Sequence, residues 1–322
     1  AVMTSGTTGI PKILFRSFES WADFFTVQNE VFGVDADSRL FVQGSLAFTG
    51  NLNLYMAQLA AGGTLIAEDV FLPGKWEQVM ARERANGIYL IPSKLLMLPR
   101  VFKGVNANIR TIISGSQSLG RNDAEVLKKI FPNTEITLYY GASELNYITY
   151  VKSADMTEER NLIGKPFPGV RVFIQDDEMY VDNAFHVENI TVPYSLKDSG
   201  RMDLQGNFYF LGRTDDIVGV RGRKVSMMKI ENALEEVAGI TEAAVVLLPK
   251  EKDADMPAEI VSAFVTVEGT DVPENLQQQL KEKLADFEIP KRVIVLEAFP
   301  KNTSGKVDKA RLKKMWIEQE PQ

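Results

Sequence analysis

Hydroxyl, glycine and lysine side chains cluster close to the first residue of the sequence. The cluster comprises Thr4, Ser5, Gly6, Thr7, Thr8, Gly9 and Lys12. Glycines let backbone N–H groups turn towards an anion, hydroxyls add donors, and the lysine supplies a mobile positive charge. The spacing differs from the Walker pattern, which requires Gly-Lys-Ser/Thr. The cluster therefore indicates a polyphosphate-binding loop, with a Ser/Thr-rich surface turn as the alternative.

A second group of reactive side chains follows a predicted strand, at Tyr140, Gly141, Ala142, Ser143 and Glu144. The carboxyl edge of an α/β sheet is where such folds place ligands. Tyrosine can stack on a base, serine can donate to phosphate, and glutamate can hold a hard divalent cation. An ordinary strand-to-turn transition explains the same residues about equally well.

Three further segments could contact a nucleoside. Gly115, Ser116 and Gln117 follow a buried strand and could allow close approach of a base, or could form a plain strand-to-helix turn. Asp198 could accept hydrogen bonds from vicinal sugar hydroxyls. Arg213 precedes paired acids at a predicted domain junction, where a solvated charge cluster is the alternative.

Two basic segments lie in the last third of the chain. Gly222 and Arg223 belong to a basic hairpin that precedes an amphipathic helix. Lys306 stands at the tip of a polar loop that begins at Lys301. Loops of this composition are usually surface connections, although loops also carry function.

Composition narrows the classes of function. The 322 residues carry a net charge of −7, which gives no electrostatic reason to expect nucleic acid or an anionic membrane as partner. Cysteine is absent and His186 is the only histidine, so disulfides, thiolate catalysis and histidine metal clusters are excluded. We find no apolar run of membrane-spanning length and no signal peptide at the start, which predicts the cytoplasm.

Periodicity predicts an α/β fold. Strands at 39–42, 64–67, 87–91, 111–113 and 136–140 alternate with helices after Ser17 and at 52–59, 73–86, 95–102 and 123–131. This alternation predicts a doubly wound, mainly parallel sheet. After about residue 164, short strands at 170–174, 179–181, 190–192 and 208–211 predict a small antiparallel sheet or distorted barrel. From about 215, helices at 227–237 and 274–284, strands at 243–248, 260–267 and 293–296, and a terminal helix predict a compact α+β unit.

Taken together and in this order, these motifs resemble those of the adenylate-forming superfamily of acyl-CoA synthetases, luciferases and peptide-synthetase adenylation domains. The resemblance spans the whole chain. Within the superfamily, the aromatic-rich residues 15–21 look most like those of short bacterial fatty-acid–CoA ligases. It implies a large adenylation domain over 1–214, with its β-rich part at about 165–214, and a mobile C-terminal domain over 215–322. The region that precedes the phosphate loop in relatives is absent from this sequence.

The resemblance also implies a reaction and its residues. An acid reacts with Mg-ATP to give an acyl-adenylate and pyrophosphate, and the acyl group then passes to the thiol of coenzyme A. The loop at 4–12 would hold the β- and γ-phosphates, and Lys306 would bridge the carboxylate and the α-phosphate. Asp215 would be the hinge. Adenine would contact Tyr140 and the edge formed by Gly115, Ser116 and Gln117, and the ribose would contact Asp198 and Arg213. Ser143 would contact phosphate, and Glu144 would bind Mg²⁺. The acyl group would contact Phe48, Asn51 and Leu52, and the thiol would contact Gly222 and Arg223.

This sequence departs from the family pattern at several sites: the segment 176–190 lacks the usual Gly-Glu-x-x-Val-x-Gly turn, and two further departures concern the nucleotide. Ser116-Gln117 replaces the usual Gly-Ala, and Lys197 stands where a glycine usually precedes the ribose aspartate. The apolar neighbours of Phe48 and Leu52 favour a hydrophobic or fatty acid, although core packing explains them too. Two alternatives remain open: loading of a carrier-protein phosphopantetheine, and a degenerate nucleotide-binding homologue without turnover.

Overall fold

The computed structural model describes residues 1–3, 13–46, 48–214, 217–220, 223–250, 259–301 and 307–318. The chain divides into two compact units by its contacts. The first comprises Ala1–Leu196 and Gly200–Phe210, and the second Lys197–Ser199 and Leu211–Gln322.

Short strands and helices alternate through the first two hundred residues. The strands are β1 (Val2–Met3), β2 (Ile13–Leu14), β3 (Arg39–Gln43), β4 (Thr64–Glu68), β5 (Gly87–Tyr89), β6 (Thr111–Gly115), β7 (Glu135–Ala142), β8 (Asn146–Lys152), β9 (Leu162–Pro166), β10 (Arg171–Gln175), β11 (Glu178–Asp182), β12 (Tyr194–Met202) and β13 (Phe208–Arg213). The helices are α1 (Glu19–Phe32), α2 (Thr49–Ala60), α3 (Pro73–Arg82), α4 (Pro92–Leu95), α5 (Leu98–Val101) and α6 (Arg121–Ile130).

Eleven of these strands form one mixed sheet in the order β10-β11-β12-β13-β9-β8-β7-β6-β5-β3-β4. Strands β4, β3, β5, β6 and β7 run parallel to one another. The pairs β7–β8, β8–β9, β9–β13 and β10–β11 are antiparallel. The predicted α/β fold class is confirmed. The antiparallel strands continue the edge of the parallel sheet instead of closing into a separate barrel.

Helices cover both faces of the parallel strands, because successive side chains of a strand point to opposite faces. In β3, Leu40 and Val42 join a core with Phe24 of α1, whereas Phe41 joins a core with Trp76 of α3. All five side chains are at most 1% exposed. Burying a large apolar side chain stabilises the fold by about 1.5–3 kcal/mol. The two cores thus fix the sheet between the helices and fix the edge at which its strands end.

The second unit has its own small sheet. Its elements after β13 are β14 (Ile217–Val220), β15 (Arg223–Ser226), α7 (Met227–Glu235), β16 (Ile240–Pro249), β17 (Glu259–Val267), α8 (Leu276–Lys283), β18 (Arg292–Val295) and α9 (Lys309–Glu318). Strands β14 and β15 form a hairpin, and the sheet order is β16-β17-β18. Ile230, Val245 and Leu280 lie in the core between this sheet and helices α7 and α8. Among the described residues, no helix combines the length and the apolar character needed to cross a bilayer.

Three local predictions are wrong. The single helix expected over 95–102 is two short helices, α4 and α5, because Pro99 has no N–H to donate to the preceding turn. The strand expected over 190–192 is irregular, and β12 begins after Pro193. Strands β8 and β9 are absent from the sequence-based prediction.

Candidate functional site

Ser143 and Glu144 lie at the tip of the β7–β8 hairpin. Ala142 pairs with Asn146 across the hairpin, and Leu145 N donates to Ala142 O at 3.1 Å, as a tight loop requires. Asn146 has a φ of 66°, a left-handed conformation that asparagine tolerates better than most residues. The side chains of Ser143 and Glu144 are half-buried. The hairpin therefore presents a hydroxyl and a carboxylate beyond the carboxyl ends of the parallel strands.

A segment before β12 fixes the backbone of this loop. Val187 N donates to Glu144 O at 2.9 Å. The buried Asn183 donates from Nδ2 to Leu145 O at 3.0 Å and accepts from Phe185 N at 2.9 Å. These bonds fix the backbone of the loop at Glu144 and Leu145. No spacing or motif in the sequence identifies Asn183 as a partner of the loop.

The start of α2 contacts the same loop. Thr49 Oγ1 and Ser143 Oγ lie 2.9 Å apart and share a hydrogen bond. Phe48 is the half-buried residue just before α2. Asn51 donates from Nδ2 to Ser45 O at 3.0 Å, and Leu52 packs against a core of α1 and α2 that contains Trp21. Thr49, which carries no motif of its own in the sequence, is thus the α2 side chain that contacts Ser143.

The segment after β6 is tied to two neighbours. Gly115 is the last residue of β6, and Ser116 has a φ of 68°. Gln117 Oε1 accepts a hydrogen bond of 2.9 Å from Ser93 N in the first turn of α4. The ring of Tyr140 lies 5.8 Å from that of Phe210 and is half-buried. Gly115 and Tyr140 lie on two adjacent parallel strands, β6 and β7, at or near their carboxyl ends.

Asp198 and Arg213 lie together in the second unit. Arg213 Nε is 3.6 Å from Asp198 Oδ1, which is an ion-pair distance longer than a hydrogen bond. Asp198 is 8% exposed. Its neighbour Lys197 has a φ of 62°, and Thr214 Oγ1 donates to Lys197 O at 3.0 Å. The acid and the arginine predicted to share one role are neighbours in space.

We expect Lys197→Gly to stabilise the protein. A non-glycine residue in the left-handed region costs about 1–2 kcal/mol, and glycine's larger entropy in the unfolded chain offsets part of the gain. The free energy of unfolding in urea should therefore rise by about 0.5–1 kcal/mol. Lys197→Ala is the control, since it removes the side chain and keeps the backbone strain. A glycine variant no more stable than the alanine variant would contradict the assignment of strain.

Three buried tyrosines lie beneath the site, and their hydroxyls face a low-dielectric core. Burial raises the pKa of Tyr139 to about 12. Burial also raises the pKa of Tyr89 and of Tyr147 well above the usual value for a phenol. All three phenols therefore stay neutral at physiological pH and act as hydrogen-bonding groups.

The raised pKa values predict loss of stability in alkali. Because each phenol ionises near pH 10 in the unfolded chain and only at higher pH when folded, its contribution is fully present below about pH 10. It is lost as pH rises through the folded pKa, which is about 12 for Tyr139, by up to about 1.4 kcal/mol per pH unit for each tyrosine. Urea unfolding at about pH 9, 10 and 11, on either side of the unfolded pKa, measures how steeply the free energy of unfolding falls with pH. Tyr139→Phe should reduce that slope, and an unchanged slope would contradict the prediction.

Several predicted site residues lie outside the described residues: Thr4, Ser5, Gly6, Thr7, Thr8, Gly9, Lys12, Asp215, Gly222 and Lys306. Arg223 is described. It begins β15, is exposed, and its guanidinium lies 4.8 Å from the ring centroid of Phe287.

The described residues could hold a magnesium ion only together with phosphate groups of a substrate. Among the residues that the structure describes, no three Asp, Glu or His side chains converge into a site that could hold a metal by themselves. Mg²⁺ in nucleotide enzymes is commonly bound by one or two carboxylates together with substrate phosphates. The half-buried Glu144 at the hairpin tip meets that requirement, because it offers a single carboxylate at the ligand edge of the sheet.

Two family models match the chain. The model described as "AMP-binding enzyme" matches residues 2–184. The model described as "AMP-binding enzyme C-terminal domain" matches residues 229–306.

The chain is similar to curated bacterial proteins over nearly its whole length. It is 27% identical to the uncharacterized acyl–CoA ligase YhfT of Bacillus subtilis, over 99% of this chain and 68% of that protein. It is 26% identical to a linear gramicidin synthase of Brevibacillus parabrevis, over 97% of this chain and 7% of that protein.

A solved structure shares the fold. O-succinylbenzoate coenzyme A synthetase (MenE) of Bacillus subtilis, in complex with ATP and magnesium ion, has a TM-score of 0.82 at 20% identity. The match covers 97% of this chain and 69% of that chain.

Proposed function

Because this chain belongs to the family of AMP-binding enzymes and is thereby an AMP-forming ligase, we propose that it activates a carboxylic acid with ATP and transfers the acyl group to coenzyme A. One observation carries the proposal. A hairpin tip bearing Ser143 and Glu144 lies at the carboxyl edge of a parallel sheet and is fixed there by Thr49 and Val187. A hydroxyl and a carboxylate fixed at that edge suit a nucleotide triphosphate with its cation.

The nucleotide is proposed to lie along the ends of β6 and β7. Tyr140 would stack on adenine, beside Gly115, Ser116 and Gln117. The ribose would be held by Asp198 and Arg213, whose 3.6 Å separation supports a shared role. Backbone and hydroxyl donors of residues 4–9, with Lys12, would hold the β- and γ-phosphates.

Glu144 is the residue that would hold a magnesium ion when Mg-ATP is bound. When bound, the ion neutralises phosphate charge. Ser143 would donate to a phosphate oxygen. Its bond to Thr49 restricts the rotation of the hydroxyl, which favours a fixed donor direction.

Two displacement steps account for the overall reaction. A carboxylate oxygen of the acid attacks the α-phosphorus of ATP, the bond to the β-phosphate oxygen breaks, and pyrophosphate leaves. The thiol sulfur of coenzyme A then attacks the acyl carbon, AMP leaves, and the thiol proton passes to the phosphate or solvent. Lys306 would offset the negative charge that develops in the first step. Asp215 is the proposed hinge between the steps, and Gly222 and Arg223 would line the thiol channel.

The acid and the acceptor belong to this proposal too. The apolar character of Phe48 and Leu52 supports a hydrophobic acid, with Asn51 nearby. Coenzyme A is supported by the similarity to an acyl–CoA ligase, whereas similarity to a gramicidin synthase supports a carrier-protein phosphopantetheine as the second candidate acceptor. The cytoplasm remains a prediction from composition.

Thioester formation tests the proposal. The chain is incubated with ATP, Mg²⁺ and a panel of acids, with either coenzyme A or a pantetheinylated carrier protein, and products are detected by mass spectrometry. We expect an acyl-CoA, together with AMP. If thioester formed on the carrier protein alone, the acceptor would be the phosphopantetheine of the carrier and not coenzyme A. ATP binding without any thioester would favour a nucleotide-binding protein without turnover.

A further inference from the structure

Two tyrosines fill the layer between the start of α2 and the ends of the parallel strands. Tyr89 is the last residue of β5, and Tyr139 lies near the end of β7. Their hydroxyls are 2.7 Å apart, and their rings are nearly parallel, with centroids 6.3 Å apart. They are 6% and 7% exposed. A hydrogen bond between Tyr139 and Ser116 also contributes to holding the ring in place.

Two glycines show how tightly this layer is filled. A Cβ atom on Gly50 of α2 would lie 2.6 Å from the Tyr89 hydroxyl and 3.1 Å from the Tyr139 hydroxyl. A Cβ atom on Gly115 of β6 would lie 2.4 Å from the Tyr139 ring. Non-bonded carbon atoms require about 3.5–4.0 Å. Even one added carbon therefore cannot enter between α2 and the tyrosine pair, or between the pair and β6.

This filled layer begins immediately beside the candidate site. Gly50 follows Thr49, whose hydroxyl contacts Ser143. Adjacent residues of a helix differ by about 1.5 Å along its axis. The space under the start of α2, next to the residue that contacts Ser143, is therefore occupied by the two phenols.

We propose that the acyl group extends under the start of α2, that Tyr139, supported by Tyr89, limits its length there, and that the chain takes short-chain carboxylic acids. The inference rests on the proposed function and narrows its hydrophobic acid to a short one. Tyr139 determines specificity through its ring volume, since the ring occupies the space that a longer acyl chain would need.

Binding of stable acyl-adenylate mimics tests the inference without requiring turnover. Isothermal titration compares ethanoyl-, butanoyl- and octanoyl-sulfamoyl adenosine on the full chain. A pocket with no room discriminates by roughly 10- to 200-fold per methylene at its limit. We expect the octanoyl compound to bind at least about 100-fold more weakly than the best short analogue.

Variants of the pair test the assignment to Tyr139. Tyr139→Ala should reduce the preference for the short analogue at least about tenfold, because removing the ring opens the layer. Tyr139→Leu should also reduce the preference for the short analogue, with less loss of core packing. Tyr139→Phe should keep the wild-type preference. Tyr180→Ala is the matched control, since it removes a stacked tyrosine of the β10–β11 hairpin. Its preference should match the wild type.

The outcomes separate the inference from the function. Equal affinity of the wild type for the octanoyl and short analogues would overturn the length limit and leave adenylate formation standing. A preference unchanged in both Tyr139→Ala and Tyr139→Leu would overturn the role of this residue. Failure of the wild type to bind any of the three compounds would contradict the proposed function and the inference with it.

Discussion

Lys306→Ala is expected to abolish acyl-adenylate formation while sparing transfer of the acyl group from a supplied acyl-adenylate. Lysine suits this role because its ammonium is a compact charge on a long, flexible stem. Removing a group that stabilises developing charge typically lowers kcat by about 10²–10³-fold. Acid-dependent exchange of labelled pyrophosphate into ATP measures the first step, and acyl-CoA formation from synthetic acyl-adenylate measures the second.

A neighbouring lysine provides the control for this experiment. Lys301 stands at the start of the same loop, and its Nζ lies 2.7 Å from Glu242 Oε1 in a partly exposed ion pair. Such pairs contribute little to stability, so Lys301→Ala should leave both steps near the wild-type rate. Equal loss of the two steps in Lys306→Ala would refute the division of labour between them.

Glu144→Gln is expected to have the second-largest effect. The amide keeps the size of the side chain and removes the negative charge that the magnesium ion requires. We expect kcat/KM for ATP to fall by about 100-fold or more, comparable with loss of one strong electrostatic contact in a transition state. The magnesium concentration that gives half-maximal exchange should rise with it.

Glu188→Gln serves as the control for Glu144→Gln. Glu188 is exposed and follows Val187, whose N–H bonds to Glu144 O, so the substitution removes a carboxylate close to the loop. Its magnesium dependence should be that of the wild type. If Glu144→Gln left the magnesium dependence unchanged, Glu144 would not be the ligand.

The elements that can be predicted from the sequence are those with a clear pattern of apolar residues. Strands β3, β5, β6 and β7 are apolar runs buried on both faces, and helices with apolar stripes separate them. Strand β8 could not be predicted in the same way. Its hairpin turns through Ser143, Glu144 and Leu145 and continues through a left-handed Asn146, so the turn carries neither glycine nor proline. The residues of the turn indicate a ligand site, so the turn gives no separate sign of the strand that follows it.

The backbone conformation bears on two of the departures from the family pattern. The family resemblance implies glycine at the positions of Ser116 and Lys197, whose φ angles are 68° and 62°. Glycine enters that region without steric cost, whereas other residues do so under strain. A glycine at either position would therefore adopt this backbone conformation without strain.

Contacts between distant parts of the chain were beyond sequence reasoning. Thr49 and Ser143 are 94 residues apart, and Tyr89 and Tyr139 are 50 residues apart. No spacing rule connects such pairs, because their proximity depends on the order of strands in the sheet. Ser143 itself is identifiable from its local pattern. Thr49, Tyr89 and Tyr139 become visible only through the fold.

Acid-dependent exchange of labelled pyrophosphate into ATP tests the central claim most directly. The full chain is incubated with Mg-ATP, labelled pyrophosphate and each acid of a broad panel that includes short-chain, long-chain and aromatic acids. We predict exchange that requires both an acid and Mg²⁺ and that is strongest with a short-chain acid. Absence of exchange with every acid, in a chain shown to bind ATP, would contradict the assignment of adenylate formation to this chain.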